Sequence, residues 1–118
     1  MKTTTALLLS GFTIAAAAKD WPMWGNDPTR NMIGESTNLP TEISPGELDD
    51  ETEAALLDSA KNIKWAAKLG SQAYGNTVIA GGRVYVGTNN ESPRDEAQKG
   101  DRGVLMAFDE KDGSFEWQ

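Results

Sequence analysis

The stretch Asn76–Asn90, NTVIAGGRVYVGTNN, restricts the fold more than any other part of the chain. Two short apolar runs flank Gly81-Gly82. A glycine pair permits positive φ at both central positions of a two-residue hairpin turn. Val, Ile and Tyr on either side favour a pleated, half-buried surface. The stretch therefore predicts a tight antiparallel hairpin, and the neighbouring sequence must supply strands to complete it, because a lone hairpin is marginal in water.

Two further segments meet that need. NIKWAAKLG, residues 62–70, alternates Ile63, Trp65, Ala67 and Leu69 with polar or small residues. GVLMAFDEKDGSFEW predicts a strand from Val104 to Phe108, a turn at Glu110–Gly113 and a new strand from Ser114. Residues 62–109 thus read as four short strands in sequence order. A four-stranded antiparallel meander is one blade of a β-propeller. Trp65 and Trp117 stand about 52 residues apart in similar contexts, NIKWA and SFEWQ, a spacing near a propeller's per-blade period. On that reading the strand from Ser114 opens a second blade. One blade cannot bury both of its faces alone, so the chain reads as the N-terminal piece of a longer protein.

The segments before the sheet are of other kinds. Residues 1–18 carry Lys2, then an apolar run from Ala6 to Ala18 that is too short to span a membrane. Ala16 and Ala18 fit the small-residue pattern of a signal-peptidase site, which predicts export and cleavage after Ala18. Residues 19–61 read as an extended arm and an acidic linker. In the arm, Pro22 and Pro28 oppose helix. In the linker, ELDDETEAALLDSAK predicts a short helix over 47–61, with acids at its start and Lys61 at its end as the helix dipole prefers. The acids between Glu47 and Glu53 read as a solvated face.

Composition removes whole classes of chemistry. The chain has 118 residues, 18 acidic and 11 basic, a net charge of −7, and neither Cys nor His. Phosphate contacts need a basic surface, so nucleic acid is not an expected partner. Without Cys there are no disulfides, thiolate nucleophiles or covalent haem. Without His there is no Ser-His-Asp catalysis and almost no route to a zinc site. No catalytic, cofactor-binding or metal-ligating residue is assigned. DEKDG offers oxygen atoms near a glycine, yet it is too short for an EF-hand loop and reads as a turn.

GGRVYVGT followed by GVLMAFDEKDGSFEW resembles the pyrroloquinoline-quinone (PQQ) repeat: an apolar strand, Ala-x-Asp, a glycine turn and Trp. The pattern falls on Ala107, Asp109, Gly113 and Trp117. Asp112 stands where that repeat often has Thr. The arm DWPMWGNDPTRN resembles the Trp-Pro lead-in of secreted quinoprotein-like propellers. The resemblance covers residues 20–34 and 62–118. It implies an all-β fold in which Trp65, Ala107, Asp109, Gly113 and Trp117 dock blades to one another. Ala107 is small enough for a neighbouring aromatic to approach, Asp109 accepts bonds from turn amides and Gly113 takes the left-handed position.

Successive antiparallel strands send their loops to alternating ends, so 70–76 and 89–103 are expected at one end of the sheet. That end holds Gln72, Tyr74, Asn76, Asn89, Asn90, Glu91, Arg94 and Asp95, with Asp101 and Arg102, as a candidate ligand rim. Asn90-Glu91-Ser92 also matches a glycosylation sequon. Two functions follow from the resemblance. One is a periplasmic or secreted binding and scaffold module of the BamB type, whose partners are the remaining blades and envelope proteins. The other is the N-terminal part of a quinoprotein dehydrogenase that oxidises an alcohol or sugar. The second implies PQQ and calcium for the full-length protein, although the dehydrogenases' ligand set maps onto no residues here and no cofactor is expected on this stretch.

Overall fold

The computed structural model describes residues 19–118; the expected signal segment and its cleavage site lie outside them, save for Lys19. These residues are all-β, with only two three-residue 3-10 turns besides. A small ribbon pairs β1 (Glu47–Leu48) with β2 (Ala55–Leu56). The main sheet contains β3 (Val78–Ala80), β4 (Arg83–Asn89), β5 (Gly103–Asp109) and β6 (Phe115–Trp117), antiparallel and in sequence order.

The β3–β4 turn is the glycine-pair hairpin. Ala80 pairs with Arg83, and Gly81 and Gly82 take φ of 61° and 75°. Along β4 every second residue is buried, through Val84, Val86 and Thr88. Their partners on β5 are Phe108, Met106 and Val104. This face is the core, in which Met106 and Phe108 are almost wholly enclosed. Trp65, Ala67, Leu69 and Val104 pack against it.

The sheet has four strands, but not the four expected. Residues 62–70 form no strand. They run extended with alternating burial, Ile63, Trp65, Ala67 and Leu69 being half-buried between exposed neighbours. The apolar stripe lies flat over the core face instead of joining the sheet edge. That edge is already taken: Trp21 exchanges two backbone hydrogen bonds with Ile79 of β3, at 2.8 and 3.0 Å. Asp20 extends the contact by accepting from the Gly81 amide at 3.1 Å. The arm is irregular, as its prolines predict, and its docking residue is Trp21.

The fourth strand is β6, so the expectation that Ser114 opens a separate blade is corrected. Ala107 pairs with Trp117 and Phe108 with Phe115 inside the same sheet. The connecting turn folds back on itself. The Asp109 amide donates to the Ser114 carbonyl and the Gly113 amide to the Asp109 carbonyl, both at 2.9 Å. The Glu110 amide also donates to the Gly82 carbonyl at 3.0 Å, tying the two turns at that end together.

The helix expected over 47–61 is also corrected. Asp49 Oδ1 accepts from the amides of Glu51 and Thr52 and from the Thr52 hydroxyl. Glu53 follows with φ of 57°, and its amide donates to the Asp49 carbonyl at 2.8 Å. A side chain that binds its own turn amides competes with helix, and here it closes the β1–β2 ribbon.

Candidate functional site

The meander places the loops as the alternation of strands requires, with 70–76 and 89–103 at one end and the two tight turns at the other. At the loop end, the Gln72 carbonyl accepts from the Asn89 amide and the Thr88 hydroxyl, each at 3.0 Å. Asn89 Nδ2 donates to Ser71 Oγ at 3.2 Å, and the Gly70 amide to Thr88 Oγ1 at 3.0 Å. Residues 70–72 are thereby laced to the end of β4. Tyr74 beyond them is 91% exposed, so its ring is offered to solvent rather than packed.

The eight rim candidates do not form one site. Gln72, Tyr74 and Asn89 border a shallow groove with Asp101 and Arg102. Asn90, Arg94 and Asp95 border another, of about 620 Å³, with Gln98, Arg102, Leu105, Phe115 and Trp117. Asn76 and Glu91 are exposed and line neither groove. Arg102 is the one side chain common to both.

The three candidates in the larger groove are largely engaged by the protein itself. Asn90 is buried, and its Nδ2 donates to the carbonyls of Gln98 at 2.7 Å and Gly100 at 3.1 Å. Its Oδ1 is enclosed without a hydrogen-bond partner. The nitrogen that a glycan would occupy therefore holds the loop closed in the fold. Asp95 caps the 3-10 turn Glu96–Gln98 by accepting from the Ala97 amide at 2.9 Å. Arg94 reaches back over the sheet, donating to the Lys68 carbonyl at 2.6 Å. Its guanidinium carbon lies 5.4 Å from the Phe115 ring centre and 6.0 Å from that of Phe108, within cation–π range. The Arg94 amide donates to Gln118 Oε1 at 3.0 Å.

Chemically the larger groove joins two guanidiniums, one carboxylate and side-chain amides to an aromatic wall. Of these groups, Arg94, Asp95 and Asn90 are already bonded within the chain. Several carboxylates are held below their ordinary range. Asp27 is lowered by Thr29, Asp49 by Thr52 and Asp112 by Ser114, in each case by hydrogen bonding. Glu35 is lowered by Lys19 and Glu53 by Lys68, by bonded ion pairs. Among the described residues no three carboxylates gather as a cation site.

The residues expected to dock blades divide in a different way. At the turn end, Trp65 Nε1 donates to the Glu110 carbonyl at 3.0 Å. A Cβ on Gly113 would lie 2.5 to 2.8 Å from three atoms of the Trp65 ring, and Gly113 has φ of 75°. Asp109 Oδ1 accepts from the Lys111 amide at 2.7 Å, and Asp112 Oδ1 from the Ser114 amide at 2.9 Å. Asp112 thus accepts a turn bond. Trp65, Asp109 and Gly113 form one constellation. Ala107 and Trp117 form another on the opposite sheet face, where Ala107 is fully buried and Trp117 lies 6.0 Å from Tyr85.

Sequence reasoning missed Gln98, Leu105 and Phe115 as groove residues. Phe115 had a signal, since its pairing with Phe108 follows once the turn at 110–113 is closed as a hairpin. Gln98 had none, because its place depends on the fold of an irregular loop. No family model matches the chain, and no curated protein or solved structure matches it either.

Proposed function

We propose that this chain is an exported protein of the PQQ-like β-propeller type whose sheet is one blade, and that it serves as a binding and scaffold module. One observation carries the reading: Trp65, from a segment outside the sheet, seats its indole on the β5–β6 turn, where Gly113 leaves room for the ring and Glu110 receives its N–H. Trp65 and Gly113 are both among the residues that the repeat resemblance implies for docking, and here they meet. The polar groove of Arg94, Arg102 and Gln98 beside Trp117 supports binding, and the residues there supply hydrogen bonds and charge without a proton-transfer pair. The partner is then a periplasmic or envelope protein.

The test places a photocrosslinking amino acid at Arg102 in protein exported by bacterial cells, with the same substitution at Lys111 on the opposite end as control. The expected result is a discrete protein adduct from position 102 and none from 111. Saturable micromolar binding of PQQ in the presence of calcium, with no adduct, would replace this reading with the dehydrogenase.

A further inference from the structure

We draw no further inference here: the strongest candidate, the groove between the 89–103 loop and the outer edge of β5 beside Trp117, is an unpartnered sheet edge, and nothing in the structure shows what covers it.

Discussion

Gly113 is the residue on which most of the turn end depends, for two separate reasons. Its φ of 75° is left-handed, and its missing Cβ is the space in which the Trp65 ring sits. Left-handed backbone costs an L-residue about 1–2 kcal/mol before any collision is counted. The collision is with the indole itself, whose Nε1 is held by Glu110, so the ring cannot retreat without losing that bond. Gly113→Ala is therefore expected to lower stability by more than the backbone term alone, roughly 2–3 kcal/mol once a half-buried ring is displaced. It should also shift Trp emission toward that of a solvated indole. Gly75→Ala is the control. Its Cβ would meet nothing and its φ is not positive, so the change should stay within about 0.5 kcal/mol. Denaturant midpoints and emission spectra of both variants decide it, and equal midpoints would mean that the Trp65 seat contributes nothing. Asn90 poses the opposite case, a buried polar side chain with one atom satisfied twice and the other not at all. Asn90→Asp turns the face that donates to Gln98 and Gly100 into an acceptor. It should loosen the 89–103 loop and cost about 1–3 kcal/mol, read as faster proteolysis between Glu91 and Arg102.

Among the elements, the two tight turns were legible and the segments that lack a ladder were not. Gly81-Gly82 and Asp109–Ser114 carry their geometry in local residue chemistry, so a sequence reading finds both. What local chemistry does not encode is which strand a turn belongs to. The strand after Gly113 reads equally well as the start of a new sheet, and the hydrogen bond from the Asp109 amide to the Ser114 carbonyl decides otherwise. Residues 62–70 show the converse. Their period of two is real and appears as alternating burial, yet pairing also needs a free edge, and Trp21 holds that edge. The rim was legible as an end of the sheet but not as two grooves, because Asn90 and Asp95 spend their polar atoms inside the loop. The β5–β6 turn also carries a pH dependence of known sign. Hydrogen bonding from Ser114 holds Asp112 below its ordinary range, so its contribution is present when the carboxylate is ionised and is lost as pH falls through the lowered value. Acid titration should loosen this turn below about pH 4, the ordinary Asp range, with the emission of Trp65 as the reporter once Trp21, Trp24 and Trp117 are replaced by Phe. Asp112→Asn keeps an acceptor oxygen and removes the titration, so the acid-induced change should shrink in that variant. An unchanged acid transition would assign it to another carboxylate.

For the molecule as a whole, the balance between enclosed and exposed apolar surface sets the behaviour. Among the described residues the buried apolar set is Val84, Val86, Met106, Ala107 and Phe108. The exposed large apolar residues form a longer series, including Trp24, Met32, Ile33, Leu39, Ile43, Leu48, Leu105, Phe115 and Trp117. The ion pairs, such as Lys19–Glu35, Lys61–Glu42 and Lys68–Glu53, are exposed and cannot substitute for a core. Ordering the backbone costs about 1–2 kcal/mol per residue, and only a well-filled core offsets that. Residues 19–61 order a long backbone stretch while enclosing almost no apolar side chain. Residues 19–118 produced as a separate chain are thus expected to melt gradually, to bind a hydrophobic dye at neutral pH, and to exchange amide protons quickly outside β4 and β5. The slowest amides should be those of Val84, Val86, Met106 and Phe108, whose strands are paired and whose side chains are enclosed. Calorimetry and hydrogen exchange on the monomer check this together. A sharp, calorimetrically two-state transition without dye binding would show that one sheet and its docked Trp65 segment suffice for a cooperative fold, and the exposed apolar residues would then need no neighbouring sheet to explain them.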